Sequence, residues 1–142
     1  MKKNSVYDCT VVELDKHHSD RKGNISVVEN QVTIPFNVKR IYYLYDVPGG
    51  EARGGHVFKK NEEFIVALSG AFDVIVDDGH KKKTFTLNRS YYGLYVPAGL
   101  WREMENFSTN SLALEFGSIH YDVNDYIRDY DEFLKLKRHG EI

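Results

Sequence analysis

The chain has 142 residues, and its 19 Lys and Arg against 21 Asp and Glu give a formal net charge of −2. This near-neutral balance excludes whole-molecule attraction to nucleic acid or to an anionic membrane surface, so an anionic ligand would need a local basic cluster. The single Cys9 excludes an intramolecular disulfide and a multi-cysteine metal site. Because no apolar run is long enough to span a bilayer, we expect a cytoplasmic protein with no membrane partner.

Most of the chain consists of short β-prone segments separated by Gly and Asp turns. Ten Tyr and eight Phe suit the half-buried surface of a sheet. The polar segment 15–23 is expected to be a loop, and 32–36 a short extended piece. The predicted strands are 6–14, 24–29, 38–47, 52–58, 63–68, 71–76, 81–86, 91–96, 101–105 and 112–116. This regular spacing predicts a β-sandwich or small barrel, most simply a single domain over residues 1–142 with its core at about 6–136.

Only near the end of the chain does the spacing of apolar residues change from that of a strand to that of a helix. Tyr126, Ile127, Tyr130 and Phe133 recur at helical spacing after Asp122, a suitable N-cap. We therefore predict a helix over 123–136, whose aromatic stripe we interpret as core or as a lid on the barrel. The expected fold is an all-β jelly-roll barrel with one C-terminal helix.

The stretch 50–70 carries the first informative motif. Gly50 is followed after five residues by His56, then by Phe58, Glu63 and Gly70. The spacing is that of the first cupin motif, Gly-x5-His-x-His-x4-Glu-x6-Gly, with Phe58 in place of the second histidine. Because residues two apart in a strand share a face, His56 and Phe58 are expected to point the same way.

A second motif lies in the other half of the chain. Pro97 to Asn106 matches the cupin pattern Pro-x-Gly-x2-His-x3-Asn, but Arg102 stands where the last histidine ligand would be. Two motifs at matching spacing, one in each half, favour the double-stranded β-helix of the cupins.

The two substitutions argue against a metal site. A mononuclear cupin site takes three His and one Glu, and only His56 and Glu63 remain here. Phe58 has no lone pair to donate, and the guanidinium of Arg102 offers only N–H donors. We therefore predict no metal. His56 is interpreted as a catalytic or ligand-binding residue in the barrel mouth, with a hydrogen-bonded core histidine as the alternative.

Five segments resemble a narrower group. They are 39–46 (KRIYYLYD), 53–56 (RGGH), 68–74 (LSGAFDV), 93–97 (GLYVP) and 125–130 (DYIRDY). They resemble the sugar 3,4-ketoisomerases, metal-free cupins related to the WxcM-like domain, and the resemblance covers about residues 8–135. It implies a jelly roll without a cofactor and a homodimer with exchanged N-terminal strands. It also implies action on dTDP-4-oxo-6-deoxyglucose on the way to 3-amino-3,6-dideoxy sugars.

That reaction moves a proton from C3 to C4 of the sugar through an enediol, and a neutral imidazole suits the base. The resemblance assigns this role to His56. The family motif Arg-Gly-x-His-Ala-His-Lys has a second histidine where this chain has Phe58. Three alternatives stay open: a relay through Tyr42 or Tyr43, a slower form of the same reaction, or a protein that only binds the nucleotide sugar.

Further substrate contacts are expected from basic residues. Arg40 and Arg53 suit the diphosphate, because guanidinium groups bind phosphate oxygens bidentately. With Arg102 at this position, the chain resembles the family members that form dTDP-3-oxo-6-deoxyglucose rather than the galacto epimer. Glu63 is expected to orient His56 or Arg102, or to form a structural ion pair, and Phe58 is placed on the substrate side.

Three other functions would make different demands on the site. A non-catalytic nucleotide-sugar-binding cupin would bind the same ligand without proton exchange, and a metal-dependent cupin oxygenase would hold a stoichiometric metal. A carbohydrate epimerase acting at C3 and C5 would need a second base, and no second histidine falls at an obvious barrel position.

Overall fold

The computed structural model describes residues 3–142, which form two five-stranded sheets and a separate hairpin. The strands are β1 (Thr10–Glu13), β2 (Lys16–Ser19), β3 (Gly23–Ser26), β4 (Arg40–Leu44), β5 (Arg53–Phe58), β6 (Glu63–Ser69), β7 (Phe72–Asp77), β8 (Lys82–Leu87), β9 (Tyr92–Val96), β10 (Trp101–Glu105), β11 (Leu112–Gly117) and β12 (Tyr126–Ile127). The helix α1 spans Tyr130–Arg138. No helix in this described part is long and apolar enough to cross a membrane.

The sheets have the strand orders β1-β9-β6-β11-β4 and β12-β5-β10-β7-β8. Every pairing between named strands is antiparallel. Sequence neighbours are often not spatial neighbours, so the strands cross between the sheets as in a jelly roll. The predicted all-β cupin architecture is confirmed.

Side-chain alternation decides what faces the barrel interior. On β6, Ile65 and Ala67 join the main core, whereas Phe64 and Val66 point to the opposite face and pack under the segment 28–38. Glu63 shares the parity of Ile65 and Ala67 and is 1% exposed. The strand thus delivers a carboxylate into the barrel at the end where it begins.

The N-terminal third differs from the sequence prediction. The polar segment predicted as a loop contains β2, which pairs with β3 in a hairpin. The prediction of a strand over 24–29 holds only as far as Ser26, and 32–36 forms a turn that buries Ile34 and Phe36. The hairpin was missed because almost all of its side chains are exposed, so it shows no hydrophobic alternation.

The helix prediction over 123–136 was wrong at its start. Residues 123–125 form a 3₁₀ turn, and β12 then pairs with β5. The helix begins only after Asp129, whose carboxylate accepts hydrogen bonds from the backbone N–H groups of Asp131 and Glu132. Asp122 instead caps the 3₁₀ turn.

The helix covers the outer face of the second sheet. Phe133 packs with Val57, Trp101 and Ile127 in a cluster separate from the barrel core. Gly55 leaves room for this packing, because a Cβ there would lie 2.4 Å from Nε1 of Trp101. This outer cluster holds β5 and β10 together at the strand positions that carry His56 and Arg102.

Candidate active site

A cavity of about 580 Å³ opens at one end of the barrel. Its lining combines an imidazole, a phenol, a carboxyl group and several guanidinium groups. The lining residues are Tyr42, Leu44, Ala52, Arg53, Gly54, Gly55, His56, Arg102, Glu115, Tyr126 and Arg128. They come from both sheets, so the packing of one sheet against the other brings them together.

A larger depression of about 760 Å³ lies outside the barrel, between the hairpin and the outward face of β6 and β11. Its walls are largely apolar, with Lys16 and Arg89 as the charged groups that line it. Because it contains no imidazole and no carboxyl group, we assign the chemistry to the smaller cavity.

His56 lies on β5, directly opposite Arg102 on β10. Its ring is only 8% exposed, and Nε2 is buried without a hydrogen-bond partner. Burial lowers the pKa of His56 to about 3, and the positive charge of Arg102 acts in the same direction. The imidazole is therefore neutral at physiological pH.

Arg102 forms the centre of a buried ion cluster. Its Nε and Nη2 donate to the two carboxylate oxygens of Glu63 at 2.9 and 2.7 Å, and Nη2 also donates to Oε1 of Glu115 at 2.6 Å. All three side chains are at most 5% exposed. Of the roles expected for Glu63, the structure shows the ion pair with Arg102.

The pKa values of the two carboxyl groups in this cluster are shifted in opposite directions. Burial acts to raise the pKa of Glu63, but the charge and hydrogen bonds of Arg102 hold it below its usual range. Burial raises the pKa of Glu115 to about 8, and the nearby charge of Glu63 adds to the effect while Arg102 opposes it.

Tyr42 connects this cluster to the cavity. Its hydroxyl donates to Oε2 of Glu63 at 3.0 Å and accepts from Nη2 of Arg102 at 3.2 Å. Burial, strengthened by the charge of Glu63, raises the pKa of Tyr42 far above its usual value. The phenol is therefore a hydrogen-bond donor throughout the working pH range.

Tyr43 lies outside the cavity, contrary to the sequence-based expectation that either Tyr42 or Tyr43 could relay the proton. It is 58% exposed, and its ring packs against that of Tyr45 at 5.7 Å between centroids. Successive residues of β4 point to opposite faces, so Tyr43 points away from the cavity that Tyr42 lines.

The two arginines expected to bind diphosphate, Arg40 and Arg53, differ in how deeply they are buried. Arg53 is exposed at the start of β5 and lines the cavity. Arg40 lies deeper, where Nη2 donates to the hydroxyl of Tyr126 at 3.3 Å, while Nε and Nη1 are buried without partners. Its guanidinium also lies 5.5 Å from the ring centre of Phe58. Arg40 therefore keeps unused donors beside the site, although it is not among the lining residues.

Phe58 lies beside His56, as strand parity predicts, with their ring centroids 4.6 Å apart in an edge-to-face arrangement. Tyr126 completes an aromatic cluster, with its ring centroid 4.6 Å from that of Phe58. Phe58 is 3% exposed and does not line the cavity. Phe58 contacts the imidazole, and its expected place on the substrate side stays a prediction.

Sequence reasoning missed three polar side chains that line the cavity: Glu115, Tyr126 and Arg128. Glu115 lies in the apolar stretch Leu112–Phe116, where its parity with buried Ala113 was the available signal. Tyr126 and Arg128 were interpreted as helical, but their segment belongs to or follows β12 at the edge of the second sheet.

The donor chemistry of the cluster fits a guanidinium better than a metal ion. Arg102 fills the space between Glu63 and Glu115 and uses three carboxylate oxygens as acceptors. In residues 3–142 no group of three or more His, Cys, Asp or Glu side chains is arranged to hold a metal. The expectation of a metal-free site remains a prediction for elemental analysis of the purified protein.

The comparisons with known proteins point to the same chemistry. Residues 7–138 match the sequence model of the family described as FdtA: WxcM-like, C-terminal. The chain belongs to this family of sugar 3,4-ketoisomerases. The family resemblance that the sequence motifs suggested is thus confirmed.

Individual relatives cover nearly the same span. The TDP-4-oxo-6-deoxy-α-D-glucose-3,4-oxoisomerase of Aneurinibacillus thermoaerophilus is 42% identical over 116 residues, which cover 82% of this chain and 84% of that protein. The TDP-quinovose 3,4-ketoisomerase WlaRB of Campylobacter jejuni is 38% identical with a TM-score of 0.87, covering 92% of this chain and 99% of the other. QdtA of Thermoanaerobacterium thermosaccharolyticum, a sugar 3,4-ketoisomerase solved with TDP, is 29% identical with a TM-score of 0.90, covering 97% and 100%.

Proposed function

We propose that this protein is a dTDP-4-oxo-6-deoxy-D-glucose 3,4-ketoisomerase, an intramolecular oxidoreductase that produces dTDP-3-oxo-6-deoxy-D-glucose. The observation that carries the proposal is the neutral, unpartnered imidazole of His56 in a cavity shared with Tyr42 and basic side chains. The relative from Aneurinibacillus thermoaerophilus bears the name of this reaction, and 42% identity supports the same substrate class. The product would enter the formation of 3-amino-3,6-dideoxy sugars for glycan or lipopolysaccharide assembly.

The reaction needs proton transfer without a net change in oxidation state. His56 removes the proton from C3, which the neighbouring C4 ketone acidifies, and an enediol forms. The same imidazole, after its proton has exchanged with solvent, delivers a proton to C4 while the oxygen at C3 becomes a carbonyl. We assign protonation of the oxygen at C4 to Tyr42, which lines the cavity with His56 and whose hydroxyl proton is directed at Glu63 in the empty site.

The low pKa of His56 requires a compensating charge during catalysis. Burial and Arg102 disfavour the imidazolium in the empty site. A bound diphosphate brings negative charge to the surrounding arginines and shifts this balance toward protonation. Substrate binding therefore makes His56 a stronger base than it is in the free protein.

The diphosphate is assigned to the rim of the cavity. Arg53 and Arg128 line the opening, and Arg40 keeps unpaired N–H groups beside it. Guanidinium groups suit phosphate oxygens because their donors are arranged as a fork. The QdtA structure with TDP supports a nucleotide diphosphate as the ligand class of this fold.

The gluco configuration at C4 is proposed from two observations. Arg102 occupies the position that resembles the gluco-producing type, and the 38% identical WlaRB is named a TDP-quinovose ketoisomerase. Arg102 acts indirectly in this scheme, because its donors are directed at Glu63, Glu115 and Tyr42. Coupling constants of the product's ring protons distinguish the gluco and galacto epimers.

A coupled assay tests the function. The purified protein is mixed with dTDP-4-oxo-6-deoxyglucose and a 3-aminotransferase, and 3-amino product is expected well above a no-enzyme control. Absence of that product contradicts the proposal. If the nucleotide sugar binds but its C3–H never exchanges with solvent deuterium, the non-catalytic binding function is correct instead.

The homodimer with exchanged N-terminal strands is also a proposal. Ile41, Tyr43, Tyr45 and Leu68 leave an apolar patch exposed on the outer side of the first sheet, which suits a second copy of the chain. Light scattering tests the dimer, with a monomer at micromolar concentration as the contradicting result. The cytoplasmic location predicted from the sequence is tested by cell fractionation.

A further inference from the structure

The buried ion cluster contains one more carboxyl group than it has cations. Arg102 contributes one positive charge, while Glu63 and Glu115 are 1% and 0% exposed. Within residues 3–142, Arg102 is the only salt-bridge partner of either carboxyl group. A buried uncompensated charge is costly, so the cluster is most stable when one of the two carboxyl groups holds a proton.

The hydrogen bonds indicate which group holds it. Both oxygens of Glu63 accept from Arg102, and one also accepts from Tyr42. Glu115 accepts only through Oε1, and its Oε2 is buried without a donor directed at it. The two carboxyl groups accept from the same Nη2 of Arg102, at 2.7 and 2.6 Å, so two negative charges would repel each other at close range. Glu115 is therefore the acid of the pair.

We propose that the Glu115–Glu63 pair stores the proton that Tyr42 passes to and from the sugar oxygens, and so takes the place of the second histidine that Phe58 has replaced. The proposal rests on the isomerase function above and adds a residue to it. Glu115 acts through Glu63 and Tyr42, so it is a positioning and proton-holding residue rather than one that contacts the reacting carbons.

The steps balance without any further reactant. As the C3–H bond breaks, its electrons form the C3=C4 bond and its proton goes to His56. The carbonyl electrons move to the C4 oxygen, which takes a proton from Tyr42, and Tyr42 regains one from the Glu63–Glu115 pair. In the second half, the hydroxyl at C3 returns a proton through Tyr42 to the pair, and His56 delivers its proton to C4.

This coupling also addresses the weak basicity of His56. When the pair gives up its proton, a negative charge appears near the imidazole as the imidazolium forms. The groups that face Glu115 from the packed strands are Glu63 on β6, Arg102 on β10 and Tyr42 on β4, with His56 on β5 beside Arg102. Of these, the guanidinium of Arg102 stabilises the ionised pair. The cluster therefore gains one negative charge in the step that creates one positive charge.

Infrared spectroscopy and kinetics of Glu115→Gln test the proposal. The substitution keeps the shape and a hydrogen-bond donor but removes the exchangeable acid proton. Glu105→Gln, an exposed position at the end of β10, is the matched control. We expect a protonated-carboxyl band in the wild-type protein near neutral pH. It should be absent from Glu115→Gln and retained in Glu105→Gln.

Glu63→Gln provides a second spectroscopic variant. Without the charge of Glu63, Glu115 should ionise against Arg102, so the acid band should vanish although Glu115 is still present. In activity assays, kcat of Glu115→Gln should fall about 100-fold or more. Its pH profile should also lose the decline on the alkaline side that ionisation of Glu115 causes in the wild type.

The outcomes separate the two claims. A wild-type protein without the acid band, or a Glu115→Gln variant with wild-type kcat and pH profile, contradicts the proton-store proposal. A wild-type protein that has the band but does not isomerise the sugar nucleotide contradicts the proposed function instead, because the spectroscopic result does not depend on turnover.

Discussion

The two ends of the barrel interior differ sharply, although the same strands supply both. At the cavity end, β6, β10 and β11 contribute Glu63, Arg102 and Glu115. At the other end, their inward positions carry Ile65, Ala67, Met104 and Ala113, which pack with the main core. Strand parity determines which side chains face inward, and their chemistry determines whether that end is core or site.

The two ends also differ in whether their buried polar atoms have hydrogen-bond partners. Leu94 and Val74 in the apolar end are fully buried among hydrophobic neighbours. The polar end keeps buried atoms without partners on His56, Arg40 and Glu115. Unsatisfied buried groups are unfavourable for folding, and their concentration here marks the end of the barrel that is built for a ligand.

Replacing His56 should give the largest effect on activity at the polar end. His56→Asn removes the base but keeps a polar side chain of similar reach, and kcat should fall by about 10²–10⁴-fold. Stopped assays with the sugar nucleotide measure the rate, and circular dichroism checks the fold. A variant that keeps most of the wild-type rate would show that the base lies elsewhere.

Removing the cation at the polar end should destabilise the fold more than a comparable change at a solvent-exposed arginine. Arg102→Ala leaves Glu63 and Glu115 buried together, so the free energy of unfolding should fall by about 3–5 kcal/mol. The loss should be larger at pH 8 than at pH 5, because unpaired buried carboxyl groups can be protonated at the lower pH. Urea denaturation measures both quantities.

Two further variants sharpen this result. Arg89→Ala, at an exposed position, should change the free energy of unfolding by no more than about 0.5 kcal/mol. Leu94→Ala, in the apolar end, should cost about 2–5 kcal/mol by opening a cavity, with no such pH dependence. Equal pH dependence in Arg102→Ala and Leu94→Ala would contradict the charge account of the polar end.

The adjacent tyrosines of β4 offer a matched pair on opposite faces of one strand. Tyr42→Phe removes the hydroxyl that links Glu63 and Arg102 to the cavity, and kcat should fall by about tenfold or more. Tyr43→Phe removes a hydroxyl on the outer face, and the rate should be unchanged. A larger loss in Tyr43→Phe than in Tyr42→Phe would reverse the assignment.

The smallest effect on activity is expected when the family's second histidine is restored. Phe58→His puts a polar ring behind His56, where the aromatic cluster and Arg40 leave it poorly solvated. The expected result is a loss of stability of about 1–3 kcal/mol without an increase in kcat. A large gain in kcat would mean that the reaction of this chain is limited by the missing imidazole.

The sequence identified the parts of the site whose spacing the cupin motifs define. His56, Glu63 and Arg102 could be placed together because the two motifs occupy fixed strands of one barrel. Glu115 could not, because a single acidic residue in an apolar strand does not reveal that β11 lies between β6 and β4. Its parity with Ala113 indicates an inward direction but not the partners it meets there.

The missed elements have a different cause. The hairpin of β2 and β3 is exposed on both faces. Its sequence therefore shows no alternation of apolar and polar residues. The helix boundary was misplaced because Tyr126 and Ile127 fit a helical period by chance, while their actual partner, β5, is distant in the chain. Local periodicity does not reveal a strand pairing between segments that are distant in the sequence.

Deuterium exchange during turnover tests the central claim most directly. Wild-type protein and His56→Asn are incubated with dTDP-4-oxo-6-deoxyglucose in D₂O, and proton NMR follows the C3 and C4 positions of the sugar. We expect the wild type to form the 3-oxo isomer, with deuterium incorporated only at C3 and C4. His56→Asn should abolish both isomer formation and deuterium incorporation. A substrate that keeps its C3 proton and yields no isomer in the presence of wild-type protein would contradict the account.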